Sequence, residues 1–410
     1  MATRWTRARP TDLGPGVLPH TASPLHRRAD PSLKQREQDP VMARTIVDVH
    51  VLQTVPPSNL NRDDTGSPKT ARFGGVVRAR VSSQAWKRAT RTAFSSELDS
   101  SELGVRSKRL VELLAEEIAR QDADLAPESQ KLAKKILDVV GIKTNTPRGK
   151  KDVPEEAGYL VFLSNRQISG LAELGVRLGR TGEEPNKAEA RKRANQAHSV
   201  DVALFGRMVA DLTDLNVDAA AQVAHAISVH AVENEFDYYT AVDDHKQADE
   251  EEDAGAGMIG TVEFNSATLY RYASVDVDRL NDNLGDAKAT RRATEAFIRA
   301  FVTSMPTGKQ NTFANTTLPD AVLVVLRDSR PVNLVGAFED AITTPSRVAT
   351  AIERLATHFV EVNDAFGQIP VGVWVCGPGE RLAPLAALGT RGDLHTIVEG
   401  VGDAVGARLT

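Results

Sequence analysis

The densest chemistry in the sequence is the run Arg78-Ala79-Arg80-Val81-Ser82-Ser83-Gln84-Ala85-Trp86-Lys87-Arg88-Ala89-Thr90-Arg91. A strand ending in alternating arginines feeds a helix whose first turn carries two hydroxyls and an amide, with Lys87, Arg88 and Arg91 about one turn further in. Helix N-termini offer unpaired N–H groups and partial positive charge, and the basic side chains add point charges and planar forks, so phosphate oxygens are the natural ligand. A solvated helix face with an ordinary serine cap is the plain alternative. Just upstream, Asn61-Arg62-Asp63-Asp64 sets two adjacent carboxylates in a loop. They invite a metal or general-base role, although adjacent aspartates in a turn commonly bind the backbone or nearby arginines instead. Downstream, Phe236-Asp237-Tyr238-Tyr239-Thr240 precedes an acidic, glycine-containing stretch from Asp243 to Gly260 and then Thr261-Val262-Glu263-Phe264. This reads as a projecting hairpin with aromatics at its base. Exposed aromatics can stack on unpaired bases at about 1–3 kcal/mol each; buried ones are simply core.

Other chemistry is sparse. His225 and His230 stand five apart on an expected helix, the wrong interval for two metal ligands on one face, and His50 and His198 read with them as structural. No nucleophile elbow, Walker loop, paired dinucleotide glycines or HxxxH spacing occurs.

These groups need elements to position them. Thr45 to Val55 alternates Ile46, Asp48, His50 and Leu52 with Val47, Val49 and Val51, a strand pattern that Pro56 and Pro57 end. The stretch to Val77 reads as an extended loop, and Ser82 or Ser83 as the N-cap of a helix through Trp86, Ala89, Ala93 and Phe94. Residues 100–200 read as mostly helical, with a charged run from Gly182 to Asn195 that includes Lys187, Arg191, Lys192 and Arg193. Beyond it the pattern predicts a strand at Val200–Leu204, a helix at Ala219–Val232, strands over Thr261–Val275, a helix at Arg291–Met305, a strand at Val322–Leu326, a helix at Ser346–Val362 and a strand at Val371–Val375. Blocks in this order suit an α+β sheet with helices on one face rather than a doubly wound parallel sheet.

Composition bounds the reading. With 410 residues, the chain has room for two to three domains by length alone. Its longest apolar stretches are strand-sized, far short of the ~20 residues that cross a bilayer. The single cysteine, Cys376, excludes an internal disulfide and, with no Cys/His spacing around it, a zinc site; the N-terminus lacks the apolar core of a secretory signal. A cytoplasmic location without membrane contact is expected. The net charge of −5 argues against nucleic acid only until charge is resolved by segment: Arg62 to Arg91 carries a local +6 and Asp243 to Asp253 a local −6. A +6 stretch is the footprint a polyanion leaves. Residues 1–41 hold six of the 20 prolines and no apolar period, and are expected to be disordered. Met42, directly before the first strand pattern, is a second candidate start.

Taken in order, Leu60-Asn61-Arg62-Asp63-Asp64, Phe73-Gly74-Gly75, Arg80-Val81-Ser82-Ser83-Gln84 with Lys87-Arg88-Ala89, Val200-Asp201-Val202-Ala203-Leu204 with Gly206-Arg207-Met208, Ala224-His225-Ala226-Ile227, Thr240-Ala241-Val242-Asp243-Asp244 and Tyr270-Arg271-Tyr272-Ala273 resemble the CasC, or Cas-seven, family of backbone subunits of the type I-E CRISPR Cascade complex. The resemblance runs from about Met42 to Leu326. It implies an RRM/ferredoxin-like palm (42–99 and 196–410), a helical finger insertion (100–195) and a protruding thumb hairpin (236–264) within the palm. It also implies copies polymerising along one CRISPR guide RNA that is presented for pairing with target DNA, with other Cascade subunits as partners, no cofactor and no catalytic residue. On the matching positions, Asn61, Arg62, Lys69, Arg80, Ser82, Gln84, Lys87, Arg88 and Arg91 become RNA contacts. Met208 becomes an apolar wedge beside a kink in the guide, Tyr238 and Tyr239 thumb-base aromatics, and Lys309, in Gly308-Lys309-Gln310, part of a loop near the RNA. The acidic run Asp249–Asp253 departs from an RNA-facing role and is expected to face solvent or a basic patch on a neighbouring copy. Two other readings compete: a metal-dependent ribonuclease using Asp63 or Asp64, and a metabolic α+β enzyme with a small-ligand pocket.

Overall fold

The computed structural model describes residues 44–147, 149, 153–209, 211–241 and 258–409. The segment 1–41 and the acidic run Asp249–Asp253 lie outside the described residues. In chain order come β1 (Ile46–Ser58), β2 (Thr70–Phe73), β3 (Val76–Val81), α1 (Ser83–Ala93), β4 (Gly104–Ser107), α2 (Leu110–Gln121), α3 (Ser129–Val140), β5 (Thr144–Asn145), β6 (Glu156–Ala157), β7 (Val161–Ser164), α4 (Asn165–Thr181), α5 (Lys187–Ala194) and α6 (Val200–Phe205). There follow β8 (Ala221–Val223), β9 (Ala226–Ser228), β10 (Glu235–Ala241), β11 (Met258–Asp276), α7 (Val277–Leu284), α8 (Ala287–Thr303), α9 (Gln310–Phe313), β12 (Ala321–Arg327), α10 (Arg347–Phe366), β13 (Gly372–Cys376), α11 (Ala383–Ala386), β14 (Thr390–Arg391) and α12 (Leu394–Gly406).

The α+β expectation holds. One large sheet runs β14-β13-β12-β1-β11-β9-β3-β2, with β8 and β10 also paired to β11. Central β1 is antiparallel to both β11 and β12. Its alternation sends Val47, Val49 and Val51 into a core with Phe297 and Phe301 of α8 and Val401 of α12. Leu52 goes to the opposite core, with Ile352, Leu355 and Phe359 of α10. Helices therefore cover both faces, not the one face expected, because α10 and α12 pack on opposite sides of the sheet and close it. Asp48, His50 and Gln53 of β1 are buried with the rest, and each makes a side-chain hydrogen bond. Asp48 accepts from Arg327 Nε at 2.8 Å, Tyr272 Oη at 2.7 Å and the Val332 N–H at 3.1 Å. A buried pair of this kind is costly to break from one side, typically about 3–5 kcal/mol, since the remaining charge has lost its counter-ion.

Several local readings are corrected by tertiary pairing. Val200–Leu204 is helical, not a strand: a segment this short, with only Asp201 breaking its apolar residues, has too little period to distinguish the two, and Gly206, at φ +76, ends the helix. Ala219–Val232 is not a helix. It supplies β8 and β9, which pair with β11, so pairing to a preformed neighbour overrides the helix preference of its alanines. His225 and His230 accordingly sit on strand connections. The loop expected before Val77 contains the hairpin β2–β3, turned by Gly74 and Gly75, both at positive φ as a two-residue hairpin turn requires. Proline does not stop β1 at Val55; the strand reaches Ser58 through a register shift. Helices α2 to α5 share a second core built on Leu114, Ile118, Ile136, Leu171 and Leu174, which also takes in Val209, Leu212 and Leu215 from beyond residue 195. Strand β11 outlasts the sheet: Asn265–Asp276 pairs with β1, and Met258–Phe264 continues outward against β10.

Burial sets a pH response. His50 is fully buried between Tyr270 and Tyr272, with Nδ1 2.9 Å from Tyr270 Oη, and burial pushes it down to about 3. Burial likewise lowers His198 to about 4. Between the unfolded value near 6.5 and these values the unfolded chain carries protons the folded chain refuses. Stability is therefore fully present above pH ~6.5 and falls by up to ~1.4 kcal/mol per pH unit per histidine on acidification. Burial pushes Asp48 up to about 6, which acts with the opposite sign, so the His50 contribution is read as a difference. Denaturant midpoints measured from pH 7 to 4 should fall more steeply for the wild type than for His50→Gln, by about one proton; parallel profiles would refute a neutral, buried His50.

Candidate nucleic-acid interface

The junction between β3 and α1 is fixed by short-range bonds. Asn61 Oδ1 accepts the Ser82 N–H at 2.9 Å, Ser82 Oγ caps the helix by accepting from Ala85 N at 3.3 Å, and His225 Nδ1 accepts the Ser83 N–H at 3.1 Å. Accepting that N–H requires neutral imidazole, and partial burial together with nearby Arg80 and Lys69 holds the His225 pKa below its ordinary value. The expected anion site on free helix N–H groups is therefore largely occupied from within. What α1 still offers is its side chains.

Asp63 closes the preceding loop. One carboxylate oxygen accepts from the Thr65 N–H, the Thr65 hydroxyl and the Ser67 N–H, which hold its pKa below the usual carboxylate range. This is the turn-forming role of an aspartate. Arg62, Asp63 and Asp64 then stand exposed on one wall of a cleft of about 1110 Å³, with Asn61, Ser82, Gln84 and Arg88. The segment Ser304–Lys309 after α8 forms another part of its wall. That wall lies close because Gly308 has no side chain: a Cβ there would sit 2.2 Å from the Leu60 carbonyl oxygen. Lys309 follows at φ +46, a left-handed conformation that non-glycine residues rarely adopt.

A second cleft, of about 820 Å³, lies across α1 and shares Gln84 and Arg88 with the first. Lys87, Arg91 and Met208 line it. Partial burial lowers the Lys87 pKa, and the Arg91 guanidinium stacks 5.4 Å from the Phe162 ring. Met208 is 83% exposed. Its neighbour Arg207 anchors it from below, buried and bonded to Leu215 O, Phe162 O, Gln167 Oε1 and Asn195 Oδ1. Lys69 and Arg80 are not in either cleft; with Asn61 they line a small hollow behind the loop. Tyr238 and Tyr239 sit on β10, away from both clefts. Tyr238 shares an exposed strand face with Phe236, and Tyr239 lies over Gly260, whose added Cβ would meet its ring at 2.4 Å. The tyrosines are therefore not core.

Two corrections concern the arginines. Arg78 contributes to the local +6 but not to the surface: it is fully buried, and its guanidinium donates to the carbonyls of Phe73, Ser228, Phe338 and Glu339. Conversely Arg106 of β4 and Leu160 line the second cleft although no local signal marked them. Arg106 faces Phe162 across the β4–β7 pair, which brings it beside Arg91. Among the described residues Arg62, Lys69, Arg80, Lys87, Arg88, Arg91, Arg106 and Lys309 have no carboxylate at ion-pair distance. In the helical section, by contrast, Arg109, Arg120, Lys134, Lys135, Arg177, Arg180, Arg191 and Arg193 are all paired.

Comparison with known proteins agrees with a protein of this architecture. Residues 47–399 match a family model described as CT1975-like protein. Among solved structures the chain is similar to one described as "CRISPR RNA-guided surveillance complex, pre-nicking", with 34% sequence identity, a TM-score of 0.78, and 88% of this chain and 100% of that chain covered. It is also similar to one described as "CRISPR RNA-guided surveillance complex", with 28% identity, a TM-score of 0.66, and 87% of this chain and 99% of that chain covered. Comparison with curated proteins gives no match. Among the described residues no helix is long and apolar enough to cross a membrane. With the family match extending from β1 into α12, the chain belongs to the CT1975-like protein family.

Proposed function

We propose that this chain is a non-catalytic backbone subunit of a type I-E Cascade complex, the CasC role, that binds CRISPR guide RNA along α1 and polymerises with further copies of itself to present the guide to target DNA. The observation that carries the RNA-binding part is the cluster of unpaired cations lining two clefts that meet at Gln84 and Arg88. In the first cleft Arg62, Arg88 and Lys309 outnumber Asp63 and Asp64, and in the second Lys87, Arg88, Arg91 and Arg106 line the wall with one carboxylate, Asp218, which is already paired with Arg279, so both clefts favour an anion. A guide of any sequence must be gripped by its phosphates and sugars, because contacts to base edges would restrict it. Lysine, arginine, serine and glutamine side chains suit that task. The sheet order and the β10–β11 extension are compatible with an RRM-like palm carrying a thumb, and the cluster α2 to α5 with a finger. The two solved structures to which the chain is similar, each described as an RNA-guided surveillance complex, support the same assignment.

Three experiments test this. Expressed with its complex, the chain should copurify with RNA of uniform length, and complementary RNA with Mg²⁺ should stay intact; site-specific cuts lost in Asp63→Ala would establish a nuclease instead. Replacing Lys87 and Arg88 together with alanine should weaken guide binding about equally for unrelated spacer sequences. It should also lower the slope of log K against log salt by about 0.7 for each phosphate no longer neutralised; an effect confined to one sequence would contradict phosphate gripping. Gly308→Ala removes no charge, yet by pushing the Ser304–Lys309 wall off Leu60 it should weaken binding several-fold in a filter or polarisation assay. Wild-type affinity would exclude Lys309 from the interface.

A further inference from the structure

Arg271 differs from the other fully buried arginines. Arg327 has Asp48 as counter-ion, and Arg78 is surrounded by four carbonyl oxygens. Arg271 has no carboxylate at ion-pair distance among the described residues. Its guanidinium carbon lies 3.7 Å from the Trp86 ring centroid and 4.6 Å from that of Phe301. One Nη donates to Gln53 Oε1 at 2.5 Å, the other donates to the Phe301 carbonyl, and Nε makes no hydrogen bond. Burial pushes it down to about 9, so it remains a cation at neutral pH.

Its contacts are placed at the roots of both cleft walls. Trp86 is the buried residue of α1 immediately before Lys87 and Arg88. Phe301 is in the last turn of α8, three residues before the wall that begins at Ser304. Gln53 extends the link, donating from Nε2 to Thr317 O at 2.8 Å, and Thr317 N–H in turn reaches Met305 Sδ at 3.3 Å. A planar cation stacked on two aromatic faces is a directional tie that a lysine cannot reproduce, for it needs the guanidinium plane as well as the charge.

We propose that Arg271 is a positioning residue that sets the separation of α1 from the segment after α8, clamping the two together so that Arg88 and Lys309 engage one phosphodiester backbone. The clause about the backbone rests on the RNA-binding reading above; the clamp itself does not, and the test separates them.

In a Cys376→Ala background, spin labels at Thr92→Cys on α1 and Thr307→Cys on the segment after α8, both lining the first cleft, report their separation in the full chain without RNA. Guide-RNA affinity is measured on the unlabelled protein, and cooperative thermal melting confirms that each variant is folded. Arg271→Lys, which keeps the charge and loses the plane, should broaden the distance distribution toward longer values and weaken RNA binding about tenfold. An unchanged distribution in folded Arg271→Lys overturns the proposal, as does a changed distribution with wild-type affinity. Should Arg271→Lys not fold, Gln53→Leu, which removes one acceptor and leaves the ring stack, should give the same shifts in smaller degree, and its failure to move the distance is equally decisive against the clamp. A wild-type chain that binds no RNA overturns the RNA reading instead, leaving the distance measurement to decide the clamp.

Discussion

An excess of positive charge, with no ion pair among the described residues to absorb it, governs how the loops around α1 are built. Arg120, Arg177, Arg180, Arg193 and four other basic residues of the helical section have a carboxylate at ion-pair distance, whereas among the described residues those of α1 and its flanking loops have none. Cations sharing one surface repel, and the loops that carry them are held by the bonds of neighbouring groups. Asn61 and Asp63 rigidify the loop that presents Arg62. Ser82 and His225 seat the start of α1, and the missing side chain of Gly308 lets a second wall approach.

The sheet provides the rigidity. Its central strand carries acid, imidazole and amide groups that would be strongly destabilising if buried alone, and each is given a partner from a distant element: Asp48 by Arg327 and Tyr272, His50 by Tyr270, Gln53 by Arg271 and Thr317. Such polar groups specify register, since sliding β1 by two residues would bring Asp48 to the place of His50 and leave a charge unpaired. The same strand so joins the polar interior to the surface: from Gln53 the bonds pass through Arg271 to Trp86, and from Trp86 to the helix that carries Lys87 and Arg88.

Legibility in the sequence followed the range of the interaction concerned. The alternation of β1, the serine cap at Ser82 and the amphipathic pattern of α1 and α8 were plain, since each is settled by neighbours within a turn or two. Short apolar runs were not. Val200–Leu204 and Ala219–Val232 carry propensities that tertiary contacts reverse, and Gly74-Gly75, read as loop, is a hairpin turn whose strands find partners only in the assembled sheet. The covering of both sheet faces likewise depends on α10 and α12, remote in sequence from β1.

For the interface the division is similar. Which side chains carry charge, that they are gathered between Arg62 and Arg91, and that a helix starts among them can all be read from the chain alone, because residue type, charge density and capping are local properties. Long-range packing is what turns Arg78 inward and Arg88 outward, brings Lys309 and Arg62 to one cleft, sets Arg106 with Arg91 and Met208 in the other, and buries Arg271 against Trp86 and Phe301. These are matters of which distant residues bury or approach each group, and a guanidinium satisfied by four carbonyls is indistinguishable in sequence from one awaiting a phosphate.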